Sequence, residues 1–418
     1  MTGNLPIEVS QCASHSLNLT LTYREFTGNG APGLTRVQTA IERGALMGES
    51  RAVILDAWPP DSPHGHAQGL RDALARIGHR QVASVSIQRA AARASHDFVN
   101  RLLKLSATES WTEIYVLGAP DITLLSSRQR VELEGVLESS RVLYWESDAW
   151  GRGKPVAPQV RFWLRNADIV VHTGGFNSIQ RLTSPSTRIR FAPPCYCHQT
   201  FADAERRAPG PEGSGRVVMI ANNVTKTRVP VPGITGIAGG FARWRAALIL
   251  SRQLGPETFH LHGKGWPSQW SRGPLPFHRQ VSVMRDSTAV AIWDHFQART
   301  NYASNRLPIA LLSGRPVFSS PVRQANWLPD ALLGLNFRTS IAELVASVKE
   351  AVGTTTASTT RNPAETWEWV RHRLSTARLG EFFVEQMHQG SYPNLPFPWS
   401  RHRDAEIEFR PTTTDLHD

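Results

Sequence analysis

Residues 52–87, AVILDAWPPDSPHGHAQGLRDALARIGHRQVASVSI, contain the pattern that decides the fold. The apolar run Ala52–Leu55 predicts a buried strand. Within 70–77, apolar residues recur at spacings of four and three, as they do on one face of a helix. Val82–Ile87 alternates between apolar and polar residues, which predicts a second strand. A strand, a helix and a strand in this order form a βαβ unit, from which parallel sheets are built.

The same alternation continues to residue 192 and restarts near residue 217. Short, continuously apolar strands separated by helices indicate parallel sheets that are covered on both faces. Strands are predicted at 113–117, 141–145, 168–172, 188–192, 217–221, 258–262, 289–293 and 316–319, and helices near 94–105, 127–139, 239–253, 303–313, 339–351 and 363–380.

A linker divides this pattern into two halves. Residues 208–215, Ala-Pro-Gly-Pro-Glu-Gly-Ser-Gly, are rich in proline and glycine, which is typical of a loop between domains. We therefore expect an α/β protein with two Rossmann-like parallel-sheet domains that face a central cleft, where such folds bind ligands. The predicted organisation is an N-terminal extension (1–48) that adds a strand to the first domain, an acceptor-side domain (49–207), the linker (208–215), a second domain (216–362), a C-terminal helix that crosses between the domains (363–389) and a tail (390–418).

Composition excludes several classes of protein. The chain has 418 residues, of which 40% are hydrophobic, and this is too apolar for a disordered protein. No stretch approaches the ~18 consecutive apolar residues that a membrane-spanning helix needs. The start, Met-Thr-Gly-Asn-Leu-Pro, lacks the basic and apolar regions of a signal peptide, and three cysteines do not form a disulfide framework. We therefore expect a cytoplasmic protein.

The charge balance indicates an anionic partner. Lysine and arginine number 46 against 35 acidic residues, which gives a formal charge of +11. Such an excess suggests phosphates, nucleic acid or a membrane surface as the partner. A generally basic surface without a dedicated partner is the alternative. The sequence does not indicate the oligomeric state.

Two segments of the second half predict a phosphate pocket. The dinucleotide fingerprint and the P-loop are both absent, which argues against a dehydrogenase and a P-loop ATPase. His262–Trp266, His-Gly-Lys-Gly-Trp, follows a predicted strand, where glycines allow a ligand to approach the backbone and the lysine supplies charge. Asn305–Pro308 precedes an apolar helix and places an arginine at its start, which favours an anion.

These segments carry a resemblance to a known family. His262–Trp266, followed by Tyr302–Leu307 and Leu312–Phe318, resembles the C-terminal half of the CgeB-like (spore-maturation-type) glycosyltransferases, which have the GT-B fold. Val142–Trp150 resembles a strand of that group that ends in an acidic, tryptophan-containing segment. Ala167–Thr173 resembles the next strand, and Phe191–Pro194 resembles the segment that leads into the linker.

The resemblance implies transfer of a sugar from a nucleoside diphosphate sugar, the co-substrate, to a hydroxyl acceptor. The second half would bind the nucleotide sugar and the first half the acceptor, with no metal and no further cofactor, because basic side chains neutralise the leaving diphosphate. The residues expected to bind the nucleotide sugar are Lys226, Arg228, Arg243, Gly263, Lys264, Gly265, Ser304, Asn305 and Arg306.

One departure from the family concerns the mechanism. Related retaining enzymes carry two glutamates eight residues apart, the second of which holds the nucleotide ribose. The matching positions here are Asn301 and Ile309, so the ribose contact must differ and a retaining mechanism of that type is disfavoured. An inverting transfer needs a general base. The candidate catalytic residues are His64 and His66 in the loop after the first strand, and Glu146 and Asp148 at the end of another strand.

The acceptor is left open by the sequence. A charge of +11 exceeds what a diphosphate pocket needs, and paired arginines such as Arg161/Arg165 and Arg188/Arg190 suit a polyanion. A hydroxylated base in DNA is therefore one acceptor, and such DNA modification would require base flipping. A small natural product or a cell-surface glycan is an equal alternative. A non-catalytic scaffold that binds nucleotides or nucleic acid, and a sugar-nucleotide epimerase, are the alternatives of other classes.

Overall fold

A computed structural model describes most of residues 51–388. The described residues are 51–57, 65–76, 81–86, 100–104, 106, 111–123, 125–147, 156–174, 179–210, 213–225, 238–297, 301–323, 325, 327–329, 332, 334–353 and 363–388. The predicted N-terminal extension, the tail, and four candidate site residues (His64, Asp148, Lys226 and Arg228) lie outside them.

The first half forms a six-stranded parallel sheet. In chain order its strands are β1 (Arg51–Asp56), β2 (Gln81–Ser86), β3 (Glu113–Leu117), β4 (Arg141–Glu146), β5 (Ile169–His172) and β6 (Arg188–Phe191). They lie in the order β2-β1-β3-β4-β5-β6, and every pair is parallel. The helices of this half whose bounds lie in the described part of the chain are α1 (His66–Arg76), α2 (Ser127–Glu138), α3 (Pro158–Asn166) and α4 (Ala202–Arg206).

The second half forms a five-stranded parallel sheet in the order β11-β10-β9-β7-β8. Its strands are β7 (Val217–Ile220), β8 (Phe259–His262), β9 (Ala289–Ile292), β10 (Val317–Ser319) and β11 (Leu335–Phe337). Its helices are α5 (Ala238–Thr258), interrupted at Gly255, then α6 (Gln280–Arg285), α7 (Arg306–Leu312) and α8 (Ile341–Gly353), followed by α9 (Pro363–Arg373) and α10 (Thr376–Met387).

Both sheets are buried on both faces, which explains why their strands read as continuous apolar runs. In β1, Ala52 and Ile54 belong to one hydrophobic cluster, whereas Val53 and Leu55 belong to another. Successive side chains of a strand point to opposite faces, so a strand covered on both sides needs apolar residues at every position. The first of these clusters also includes Leu311 of α7, so it extends through both halves.

The C-terminal region differs from its prediction. A single helix over 363–380 was expected, but the chain forms two, α9 and α10, separated at Leu374 and Ser375. The Ser375 side chain accepts a hydrogen bond from the backbone N–H of Arg378, at 3.3 Å, and so caps the start of α10. A serine or threonine N-cap starts a new helix because it satisfies backbone donors that otherwise lack partners.

The two C-terminal helices join the halves. Helix α9 packs on α7 of the second half, and α10 packs on α1 of the first. Between them, the backbone N–H of Tyr196 donates to Leu374 O and that of Thr376 donates to Tyr196 O, both at 2.9 Å. The indole of Trp367 donates to Ala204 O at 2.9 Å. Helices α9 and α10 therefore hold the two sheets together.

The contact between α1 and α10 depends on two glycines, Gly69 and Gly380. A Cβ at Gly380 would lie 2.3 Å from the carbonyl oxygen of Gly69, and a Cβ at Gly69 would lie 2.2 Å from Thr376 O. Real Cβ atoms do not approach a carbonyl oxygen so closely. Glycine at both positions therefore allows the two helix backbones to touch.

We expect Gly380→Ala to lower the free energy of unfolding by about 1–3 kcal/mol, because the added methyl group forces α10 away from α1. The control is Gly135→Ala in α2, where a Cβ meets nothing within 4 Å. That change should stabilise the protein by about 0.5–1 kcal/mol, since alanine favours a helix over glycine. Urea unfolding of both variants measures the difference. Equal midpoints would contradict the close-packing interpretation.

Candidate active site

The candidate site lies at the carboxyl ends of the strands of the second sheet. The chain runs from β7 outward to β8 on one side of the sheet and then returns to β9 on the other side of β7. Such a reversal of strand order leaves a crevice between the two strand ends, and open α/β sheets bind ligands there.

Arg243 of α5 spans this crevice. Its side chain is 2% exposed, and its Nε donates to the carbonyl oxygen of Trp293 after β9, at 2.8 Å. One terminal nitrogen lies 2.7 Å from His295 Nδ1, and the other donates to Asn222 O after β7 at 3.5 Å. The guanidinium therefore connects the ends of β7 and β9. Its hydrogen bonds are directed to the protein, so it organises the crevice rather than projecting toward a ligand.

A carboxylate accompanies this buried arginine. Asp294 is 4% exposed, and its Oδ1 lies 3.7 Å from an Arg243 terminal nitrogen. Its Oδ2 accepts a hydrogen bond from the backbone N–H of Ser304 at 3.0 Å, and its own N–H donates to Ser320 Oγ at the end of β10. Asp294 thus balances the charge of Arg243 and holds the loop before α7.

Burial is the main cause that lowers the pKa of Arg243, and the positive charge of Arg306 adds to it. Asp294 opposes the shift, and the resulting pKa is about 10. The side chain still carries its charge near neutral pH.

The glycine-rich segment after β8 packs directly against the end of β7. Gly263 has a φ of 143°, and a Cβ there would lie 1.9 Å from Ala221 O. The backbone N–H of Lys264 donates to Asn222 Oδ1, and the Asn223 amide donates to Gly265 O, both at 2.9 Å. The backbone is therefore fixed while the Lys264 side chain remains exposed. Gly265 has a φ of 81°, which favours glycine.

The segment before α7 places Ser304 and Asn305 beside this edge. Ser304 is 6% exposed, Asn305 immediately precedes the helix, and Arg306 is its first residue and half-buried. The two positions that match the family's glutamates are both 1% exposed: Ile309 packs in the core, and Asn301 has a φ of 58°. Neither position carries an acidic side chain at the crevice.

The structure therefore brings six of the nine predicted nucleotide-sugar residues to one sheet edge: Gly263, Lys264, Gly265, Ser304, Asn305 and Arg306. Arg243 lies beneath them, whereas Lys226 and Arg228 fall outside the described residues. Sequence reasoning missed Asn222 and Asp294. Each directly follows a predicted strand, and a polar residue at the carboxyl end of a strand is the signal that could have identified it.

In the first half, the candidate bases approach the sheet edge from different faces. His66 is the first residue of α1 rather than part of a loop, and its ring lies 4.4 Å from that of Trp145, centroid to centroid. Glu146 is 3% exposed and accepts a hydrogen bond from the Tyr144 hydroxyl. Because strand side chains alternate, Glu146 and Trp145 point to opposite faces of the sheet.

A further histidine lies beside Glu146. His172 ends β5 and is the register partner of Glu146 on β4. It is 1% exposed, and burial lowers its pKa to about 4. Its Nδ1 accepts a hydrogen bond from the backbone N–H of Gly174 at 3.2 Å. The imidazole is therefore neutral at pH 7.

Within the described part of the chain, no group of three or more histidine, cysteine, aspartate or glutamate side chains is placed to hold a metal ion. The same residues contain no helix with both the length and the apolar character needed to cross a bilayer.

Solved structures with the same fold identify the architecture. Sucrose-phosphate synthase from Thermosynechococcus elongatus matches with a TM-score of 0.53 and 13% identity, over 81% of this chain and 98% of that chain. HepE of Anabaena, in complex with UDP and glucose, matches with a TM-score of 0.50 and 11% identity, over 81% and 99%. A trehalose 6-phosphate synthase from Burkholderia multivorans matches with a TM-score of 0.50 and 11% identity, over 81% and 98%.

These structures confirm the predicted fold class, two Rossmann-like domains in a GT-B-like arrangement. Identities of 11–13% support the fold alone. No family model matches the sequence, and no curated protein does.

We expect His172 to make the protein sensitive to acid. Its pKa falls from 6.5 to about 4 on folding, so between these pH values only the unfolded chain takes up this proton. The contribution to stability is present above pH 6.5 and is lost as the pH falls toward 4, by about 3 kcal/mol. In His172→Asn, the amide oxygen replaces Nδ1 as acceptor and does not titrate.

Urea unfolding of wild type and His172→Asn at pH 7 and pH 4.5 measures this contribution. The wild type should lose more free energy of unfolding than the variant over that interval. Parallel losses would contradict the assignment of the proton to His172.

Proposed function

We propose that this chain is a glycosyltransferase that transfers a sugar from a nucleoside diphosphate sugar to a hydroxyl acceptor. The observation that carries the proposal is the crevice between β7 and β9. Lys264 and Arg306 border it, and its strand ends are tied together by Arg243 and Asn222. A preorganised cationic site suits a diphosphate leaving group, whose charge develops as the sugar departs.

The fold supports this proposal. The structures with the same architecture are GT-B glycosyltransferases, among them HepE with UDP and glucose. The motif resemblance to the CgeB-like group points in the same direction, and membership of that group is part of the proposal. In this proposal Lys264 and Arg306 neutralise the diphosphate by charge alone, without a metal ion.

The chemistry then divides between the two halves. The bond between the anomeric carbon and the diphosphate oxygen breaks, the acceptor oxygen bonds to that carbon, and a base takes the hydroxyl proton. Glu146 is a candidate base because it ends β4 and its carboxylate is fixed by Tyr144. His66 is the other candidate among the described residues, and its ring is positioned by Trp145. His64 and Asp148 remain predictions.

The acceptor stays open between a base in DNA and a smaller hydroxyl compound. The charge of +11 favours a polyanion. Several of the paired arginines are, however, engaged within the protein: Arg188 donates to Gln386 O, Arg190 donates to Gln386 Oε1, and Arg243 is buried. A natural product or a glycan therefore remains an equal alternative.

We expect Lys264→Ala and Arg306→Ala each to weaken binding of the nucleotide sugar about tenfold or more, because each removes a charged contact to the diphosphate. Isothermal titration with UDP-, GDP-, ADP- and dTDP-glucose measures the change. Matched controls are Lys349→Ala on α8 and Arg252→Ala on α5, both exposed and away from the crevice, which should bind as the wild type does.

Absence of binding by the wild type to all four nucleotide sugars would overturn the proposed function. Binding without hydrolysis or transfer to duplex DNA or small hydroxyl acceptors would favour the non-catalytic scaffold instead.

A further inference from the structure

Two buried polar atoms at the crevice have no hydrogen-bond partner among the described residues. They are Asp294 Oδ1 and Ser304 Oγ. The two residues are only 4% and 6% exposed, respectively. Buried polar groups are nearly always hydrogen-bonded, so two neighbouring exceptions at this edge of the sheet indicate a missing partner.

The residues that carry these two oxygens, Asp294 and Ser304, are hydrogen-bonded to each other. The backbone N–H of Ser304 donates to Asp294 Oδ2 at 3.0 Å, so the serine and the carboxylate are adjacent. Asp294 Oδ1 is 3.7 Å from the nearest Arg243 nitrogen, which is too long for a hydrogen bond. Arg243 therefore balances the negative charge of Asp294 without occupying its second oxygen.

The chemistry of these atoms selects the kind of group that completes them. A carboxylate oxygen only accepts hydrogen bonds, whereas a serine hydroxyl both donates and accepts. A phosphate oxygen carries negative charge and would be repelled by Asp294. A sugar hydroxyl can donate to the carboxylate and accept from the serine.

We propose that Asp294 and Ser304 bind a sugar hydroxyl of the nucleotide sugar and so determine which sugar the site accepts. This inference rests on the proposed function, in which a diphosphate bound by Lys264 and Arg306 brings the sugar to Asp294 and Ser304. No bond is made or broken at Asp294. A ligand that lacks the hydroxyl leaves a buried carboxylate oxygen without a donor, and such sites discriminate strongly.

Asp294 also supplies the carboxylate that is missing at the two positions that match the family's glutamates. Asn301 and Ile309 offer no carboxylate, and Ile309 packs in the core. Asp294 supplies one from the end of β9, seven residues before Asn301. The hydroxyl contact therefore comes from a strand end rather than from the helix that follows.

The decisive variant is Ser304→Ala. It removes only an oxygen that makes no hydrogen bond within the described protein, and the backbone N–H that holds Asp294 remains. The matched control is Ser251→Ala, which removes another buried serine oxygen without a partner, on α5. Asp294→Asn is the second variant, and it retains the size of the side chain while removing its charge.

The probes are inorganic pyrophosphate, whichever of the four glucose nucleotides the wild type binds, and the matching nucleoside diphosphate. We expect Ser304→Ala to weaken binding of the glucose nucleotide about three- to tenfold, and Asp294→Asn about tenfold or more. Pyrophosphate contains no sugar hydroxyl, so it should bind Ser304→Ala as tightly as it binds the wild type. Ser251→Ala should match wild type with every probe.

The nucleoside diphosphate identifies the ring that is bound. An equal loss for it and for the glucose nucleotide would place the ribose at Asp294, whereas a loss confined to the glucose nucleotide would place the transferred sugar there. Both results support the binding of a sugar hydroxyl by Asp294 and Ser304.

Two results would overturn it. If Ser304→Ala binds the glucose nucleotide like wild type while Arg306→Ala does not, the inference fails and the proposed function stands. If the wild type binds none of the glucose nucleotides, both fail. A free energy of unfolding for Ser304→Ala equal to that of wild type confirms that any loss of affinity is local.

Discussion

The buried guanidinium of Arg243 is the interaction on which the candidate site depends. It bonds to the strand ends on both sides of the crevice, at Asn222 and Trp293, and it requires Asp294 nearby to offset its charge. A charge buried this deeply is costly unless it is paired and hydrogen-bonded. The residues that satisfy Arg243 also hold the site segments: Asn222 accepts from the backbone of Lys264, and Asp294 accepts from the backbone of Ser304.

The two halves reach their relative position through a different set of contacts. The chain returns from the second half to the first through α9 and α10, and Tyr196 pairs with the backbone on both sides of Ser375 between them. Gly69 and Gly380 allow α1 and α10 to touch. These contacts are apolar or backbone-mediated, whereas those of the crevice are polar. The contacts of α1, α9 and α10 can therefore hold the two halves together, while the polar groups of the crevice remain available for a ligand.

Much of the fold follows from local sequence. The apolar run Ala52–Leu55 predicts a strand, and both faces of that strand are buried in the structure. The linker at 208–215 lies between the two strand–helix alternations. The C-terminal region was predicted as one helix, whereas the structure has two, α9 and α10. The break between them depends on the capping bond of Ser375 and on the pairing of Tyr196 with the flanking residues, and the second of these is a contact between segments distant in sequence. Periodicity does not report such contacts.

For the site, the sequence by itself determined the kinds of group and their places along the chain: a glycine–lysine loop after one strand and a serine–asparagine–arginine segment before a helix. Only the tertiary structure decided which of them meet. It placed Arg243 in the interior, where the protein satisfies its hydrogen bonds, and it brought Asp294 beside it across 51 positions of chain. The physical reason is that burial and pairing of charge depend on strand order. That order is set by how the apolar faces of the whole sheet pack, and not by any residue's neighbours in sequence.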